Sequence, residues 1–373
     1  MDRPLPRPSD LPQSDRLGRT AALAEALDTL LDPSVRDLAW LLFAPRLLSE
    51  SAFGSLLVPP PDDIVELLRV LRELDADPAP LRASLAPLTT RRVGHYAERL
   101  VHYALSHLSS FTLIAANLPL RVGKQTVGEF DFLLEDPAGV RLHWELAVKC
   151  YLRVEVPELD NALASFVGPA LGDRLDIKVQ RLLAHQLPLS GRADIASLIP
   201  NGPWQAQMWV SGWLFDRFDR WWAQAPIAID PRLSPEVLTG FWVSADKWAE
   251  AAALMGATGW TQLPRLRWMA PLAQPDHSFC DVAEMTARIT DAFAVQTSLA
   301  EVAISTPSPV IGDLGILPSQ AEATLETPRV RSRDDPFAIA GWKQGADGRW
   351  VECARGFIVA DDWEPRARAF AAG

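Results

Sequence analysis

From Arg141 to Tyr151 the chain alternates with a period of two, and this pattern narrows the fold more than any other feature. Leu142, Trp144, Leu146, Val148 and Cys150 form one set, and His143, Glu145, Ala147, Lys149 and Tyr151 form the other. Successive side chains of a strand point to opposite faces. The pattern therefore predicts a strand with one apolar face, and it puts Glu145 and Lys149 together on the opposite face with small Ala147 between them. A second predicted strand, Val127 to Leu134, precedes it and carries Glu129 and Asp131. Glu135, Asp136, Pro137, Ala138 and Gly139 between the two form a turn cluster. Two carboxylates and a lysine on one sheet face can hold a divalent cation and activate water.

The flanking periodicities supply an order. Arg92 to Leu108 reads as an amphipathic helix, with Val93, Ala97, Leu100, Val101, Ala104 and Leu108 on its apolar side. His95, Glu98 and His102 share another face. That face can be a solvated polar stripe, or part of a His/Glu zinc site that would need further ligands. Phe111 to Val122 is an apolar run expected to be a strand. Gly172 to Leu187 reads as a helix with Leu175, Val179, Leu182 and Leu183 inward, and with Arg174, Lys178, Arg181 and His185 as a basic stripe suited to a phosphate backbone or simply to solvent. Lys178 and Gln180 are candidates for the edge of the site. Ala206 to Phe215 reads as a returning strand. The sequence thus predicts a mixed α/β fold with a central sheet and the order α-β-β-β-α-β.

The stretch GEFDFLL…HWELAVKCY resembles the PD-(D/E)XK nuclease superfamily, whose pattern is an Asp on one hairpin strand and Glu-x-Lys on the next. Asp131 matches the first position and Glu145 the second. Ala147 stands where the Lys is expected, and Lys149 lies on the same face, roughly 6.6 Å further along. The resemblance implies a restriction-endonuclease-like core. It implies Mg²⁺ or Mn²⁺ bound by Asp131, Glu145 and Glu98, catalytic roles for Asp131, Glu145 and Lys149, and support from Glu98 and Glu129. Over scattered blocks the chain also resembles a bacterial family, domain of unknown function 1853. Those blocks are VRDLAWLLFAPRLL, GHYAERLVHYAL, GEFDFLL, HWELAVKCYL, GPALGDRLDIKVQRLLAHQL and RGFIVADDW.

Around this core the expected organisation is a disordered tract over 1–16, a helical cap over 17–90, the nuclease-like core over 91–225, and an α/β extension over 226–297. A Pro/Ser/Thr-rich loop over 298–335 and a C-terminal β-hairpin with a short tail over 336–373 complete it. In the cap, Arg19 to Leu31 reads as one helix. Ser34 is the expected N-cap of a second, and Asp62 or Asp63 starts a third. Fourteen Trp residues are read chiefly as core or interface.

The net charge of −11 argues against a protein that coats nucleic acid generally. Between Arg91 and Arg192, however, about twelve Lys/Arg balance about eleven Asp/Glu. No apolar run reaches the roughly 20 residues of a membrane helix, and Cys150, Cys280 and Cys353 lack metal-ligand spacing. A cytoplasmic protein with no membrane association is expected. The functional expectation is a metal-dependent phosphodiester hydrolase acting on nucleic acid. The alternatives are a catalytically inactive protein of the same fold that binds nucleic acid, and a scaffold for a protein partner.

Overall fold

The computed structural model describes residues 13–89, 92–122, 125–157, 159–200, 202–305 and 336–373. Five helices come first: α1 (Gln13–Thr29), α2 (Pro33–Phe43), α3 (Glu50–Phe53), α4 (Ile64–Ala76) and α5 (Ala79–Leu85). Then follow α6 (Val93–His107), β1 (Thr112–Val122), β2 (Gln125–Glu135), β3 (Arg141–Arg153), the two-residue β4 (Phe166–Val167) and α7 (Leu175–Arg181). After α7 come β5 (Trp204–Arg217), α8 (Phe218–Trp222), β6 (Leu238–Ser244), α9 (Trp248–Met255), β7 (Gly259–Leu263) and α10 (Val282–Ser305). The chain ends with β8 (Phe337–Gln344), β9 (Trp350–Val359) and α11 (Trp363–Ala372).

All nine strands join one mixed sheet in the order β1-β2-β3-β5-β6-β9-β8-β7, with β4 on the edge of β3. The β1-β2-β3 meander is antiparallel, β3, β5, β6 and β9 run parallel, and β8 and β7 return antiparallel. The segments expected to form a separate extension and hairpin therefore prolong the same sheet. From α6 to β5 the order of the main elements is helix, three strands, helix, strand.

The alternation of β3 resolves as expected. Leu142, Trp144, Leu146 and Val148 pack with α2, α6 and the β5 residues Trp209, Trp213 and Phe215 in one core. Ala147 and Tyr151 pack on the other face against Leu175, Val179 and Leu182. The turn between β2 and β3 is held by Asp136, whose Oδ1 accepts the N–H groups of Ala138 (2.9 Å) and Val140 (2.8 Å). Gly139, at φ 81°, takes the left-handed conformation this turn needs.

Several expectations shift. The first helix begins at Gln13, inside the tract expected to be disordered, while residues 1–12 lie outside the described residues. The N-cap of α2 is Asp32, not Ser34. Its carboxylate accepts the N–H groups of Ser34 and Val35, and Pro33 fills the first turn, where a missing N–H costs nothing. Asp63 caps α4, as one of the two expected residues. Helix α10 runs to Ser305, into the stretch expected to be loop, and 306–335 lie outside the described residues. The expected tail is the helix α11, because Trp363, Ala367 and Ala371 repeat every four residues and bury one face. Trp40, Trp242, Trp248, Trp260, Trp342 and Trp363 are fully buried, so most of the Trp-rich character is core.

Candidate active site

The site forms where β2 and β3 part. Their ladder pairs Phe132–Glu135 with Arg141–Trp144 and stops there. Beyond it, the Asp131 side chain takes over the role of a strand partner: Oδ2 accepts the Leu146 N–H at 2.8 Å. Pairing on that edge of β3 resumes only at Leu152 and Arg153, with β4. The other edge stays paired to β5 from Arg141 to Leu152. A wedge is left between β2 and β3, floored by Asp131 and Glu145 and walled by α6 and α7.

The two carboxylates are held tightly. Glu145 is fully buried. Its Oε1 faces His143 Nε2 at 2.9 Å, and its Oε2 accepts a short hydrogen bond from the Gln186 amide. The Asp131 backbone N–H also faces this carboxylate. His143 Nδ1 lies 3.1 Å from Ser190 Oγ. Burial pushes the His143 imidazole down to about 4, so it is neutral at pH 7. With Glu145 ionised, the carboxylate can only accept, and in that state Nε2 carries the proton and Nδ1 accepts from Ser190. Burial lifts both acidic side chains of the pair out of the ordinary carboxylate range. For Asp131 the Glu145 charge lifts it further. Glu98, whose Oε2 accepts the Asn117 amide at 2.7 Å, is raised mainly by burial as well. Glu129 adds its charge to the fields at Glu98 and Glu145.

α7 brings positive charge to these acids. Lys178 lowers the carboxyls of Asp131, Glu145 and Glu98 alike, and burial lowers the Lys178 ammonium itself. Its Nζ donates to Gln186 Oε1 at 3.0 Å. Gln186 reaches the site because α7 continues as a π-turn over Leu182–Gln186, a distortion frequent at functional sites. The result is a chain of contacts running Lys178, Gln186, Glu145, His143 and Ser190.

Two cavities open onto Asp131, and Glu145, behind it, lines neither. One, of about 720 Å³, is lined by His95, Glu98, Glu129, Asp131, Arg181, His185 and Gln186 among others. The second, of about 460 Å³, shares His95, Glu98, Asp131 and Gln186 with the first and adds Lys149 and Lys178. Arg181 and His185 have no side-chain partner among the described residues.

The structure thus brings Asp131, Glu145, Glu98, Glu129 and Lys178 together, with Arg181 on the rim. It gives other expected residues different work. Lys149 faces the right side, but its Nζ is 2.6 Å from Asp173 Oδ2 in a half-exposed ion pair. Arg174 precedes α7 rather than joining its basic stripe. It pairs with Asp176 through two bonds of 2.9 Å and donates to the carbonyls of Phe370 and Ala371 in α11. Its guanidinium ties two parts of the chain together and is not presented to a phosphate backbone. Gln180 is exposed and lines neither cavity. His143 and Gln186 stand at the site without being among the residues expected there. The period of two already put His143 beside Glu145, whereas Gln186 depends on a π-turn that helical spacing does not reveal.

Among the described residues, no three or more His, Cys, Asp or Glu side chains gather into a metal-holding group: neither His95, Glu98 and His102 nor the expected set of Asp131, Glu145 and Glu98 forms one. A hard cation needs less protein. Mg²⁺ keeps several waters and is often held by one or two carboxylates. The Asp131–Glu145 pair fits that requirement in its donor chemistry: the Glu145 charge and burial raise the proton affinity of Asp131, and Asp131 Oδ2, which accepts the Leu146 N–H, keeps a second lone pair.

The family model for a domain of unknown function (DUF1853) matches residues 36–359. The chain belongs to the DUF1853 family. No curated protein and no solved structure matches it. Among the described residues, no helix of this DUF1853 protein is long and apolar enough to cross a membrane.

Proposed function

We propose that this DUF1853 protein is a metal-dependent phosphodiesterase of the PD-(D/E)XK nuclease type that acts on nucleic acid. The observation that carries the reading is the pair of half-buried Asp131 and buried Glu145 at the β2–β3 divergence, facing Lys178. The helix, three strands, helix, strand order from α6 to β5 supports it, as does the antiparallel meander followed by a parallel strand.

In this reading Asp131 and Glu145 are the ligands of Mg²⁺ or Mn²⁺, with Glu98 behind them. A cation bound there neutralises charge on the phosphate and makes a bound water more acidic. His143, neutral and anchored by Ser190, fixes the rotamer of Glu145. Lys178 stands in for the lysine missing at Ala147 and stabilises the negative charge that grows on the phosphoryl oxygens. Gln186 holds Lys178 and Glu145 in register. Arg181 and His185 line the wall along which a phosphate backbone would run.

One observation favours the non-catalytic alternative. Glu145 is fully buried, and both of its oxygens already carry hydrogen bonds. Labelled single-stranded and duplex DNA and RNA, incubated with Mg²⁺, Mn²⁺ or EDTA, separate the two. The nuclease reading expects metal-dependent cleavage that disappears in Glu145→Gln and Asp131→Asn. Binding without cleavage of any substrate selects the alternative.

A further inference from the structure

Asp131 lies where the two cavities meet. Both are lined by His95, Glu98, Asp131 and Gln186, and no Arg or Lys residue is common to the two. From this junction they lead in opposite directions across the sheet order β1-β2-β3-β5. The first passes Asn117 of β1 and Glu129 of β2 and reaches Arg181 and the turns that follow α7. The second passes residues 146–150 of β3 and reaches the segment 168–173, the start of α6 and Arg265.

The charges follow the same division. The acids Glu98 and Asp131 stand at the junction, and Glu129 is next but one to Asp131 on β2. Arg181 and His185 line the first cavity alone, and both are exposed. Arg99 and Arg192, also there, are occupied by the Ser84 carbonyl and by Asp194. Arg92, Lys149, Lys178 and Arg265 line the second cavity alone. Arg92 and Arg265 are exposed, and Lys149 is half-exposed in its pair with Asp173. Accessible cations thus lie on both sides of an acidic centre. A polyanion is repelled by carboxylates and attracted by each Arg or Lys that neutralises a phosphate. A strand crossing this floor is therefore held by its flanks, on either side of the phosphate that meets the acids.

We propose that a nucleic-acid strand crosses the site from one cavity into the other, so that the bond cut is an internal phosphodiester and no strand end is needed. The inference rests on the phosphodiesterase reading for the cut itself. Arg181 and His185 hold phosphates on one side of the scissile one, and Arg92, Lys149 and Arg265 hold them on the other. Lys178, linked to Glu145 through Gln186, stays with the phosphate being cut. Cleavage at a terminus would place the strand on one side of the acids and leave the cations of the other cavity without phosphates. One water is consumed: its oxygen joins the phosphorus, one ester P–O bond breaks, and the departing oxygen ends with one of the water's protons. A closed circle therefore becomes a linear strand with no nucleotide released.

The test incubates the full chain and Mn²⁺ with closed circles of single-stranded DNA, duplex DNA and RNA, each beside its linear form. At least one circle should be opened, as fast as its linear form is cut. Affinity for that circle is then measured in Ca²⁺ over a range of salt, for wild type, Arg181→Gln, Arg92→Gln and Arg265→Gln. Loss of one phosphate contact lowers the slope of log affinity against log salt by about 0.7 for a single strand or about 0.9 for a duplex. Arg181→Gln should lose this amount, and so should at least one of the two variants on the other side. Linear strands shortened from their ends while every circle stays closed would overturn the crossing and leave the phosphodiesterase reading standing. So would an unchanged slope in Arg181→Gln, or in both Arg92→Gln and Arg265→Gln. If neither circles nor linear strands are cut, the phosphodiesterase reading itself fails and the crossing with it.

Discussion

Replacing Asp131 by Asn should stabilise the metal-free protein and remove its response to metal. The carboxylate sits with Glu145 in a buried wedge, and burial and the neighbouring charge both oppose its ionisation. An amide keeps an oxygen for the Leu146 N–H and discards the charge. A carboxyl whose proton affinity is raised in the folded state contributes most to stability below its unfolded value, near pH 4. That contribution disappears as pH rises through the folded value. Wild-type stability should therefore fall from about pH 4 towards pH 8, and Asp131→Asn should flatten the slope. At about 1.36 kcal/mol per pKa unit, carrying one carboxyl of the pair from about 4 to neutrality corresponds to about 4 kcal/mol. Relaxation and the proton shared with Glu145 reduce this, so the variant should exceed wild type by about 2 kcal/mol near pH 8.5 and match it near pH 4. Urea unfolding followed by the fluorescence of the fourteen Trp residues measures the difference. Mn²⁺ at tenfold its dissociation constant should add about 1.4 kcal/mol to wild type and nothing to the variant. A variant less stable than wild type at every pH, or equally stabilised by Mn²⁺, would refute the reasoning.

Other residues give sharper contrasts. Lys178→Met should lower cleavage by about a hundredfold, the cost of removing one transition-state donor, whereas Lys149→Ala should change stability by less than about 1 kcal/mol and leave metal binding intact, since its pair with Asp173 is half exposed. Kinetics and calorimetry on the two variants would reveal a reversal of these roles. Gly212→Ala should cost more than about 3 kcal/mol in urea denaturation, because a Cβ on Gly212, at φ 152°, would lie 1.7 Å from the Lys149 carbonyl oxygen of the paired strand. Arg174→Ala should destabilise the chain by loosening α11 without weakening binding of a single-stranded oligonucleotide; a matching loss of affinity would restore it to a phosphate-binding role.

The parts of this fold that could be read in the sequence are those dictated by local periodicity. Strand β3 announced both of its faces through a period of two, and α6 announced its buried side through Ala97, Leu100, Val101 and Ala104. The places of Asp131 and Glu145 on neighbouring strands are legible for the same reason. What local pattern cannot specify is which distant group fills a given space. Lys149 and Lys178 both lie towards the acids by spacing, and only the packing of α7 on the sheet gives Lys178 to the carboxylates and Lys149 to Asp173. Arg174 falls in a basic stripe only if the helix begins at Gly172: it starts at Leu175, three residues later, and Arg174 turns towards Asp176 and α11. The union of the C-terminal strands with the core sheet was equally hidden, because the parallel pairing of β6 with β9 joins segments more than a hundred residues apart.

The most direct test of the central claim is a calorimetric titration of Mn²⁺ into wild type and Glu145→Ala at moderate salt. The account predicts saturable binding by wild type that is lost in the variant while the variant remains folded. No binding by wild type, or undiminished binding by Glu145→Ala, would contradict a metal site at the Asp131–Glu145 pair.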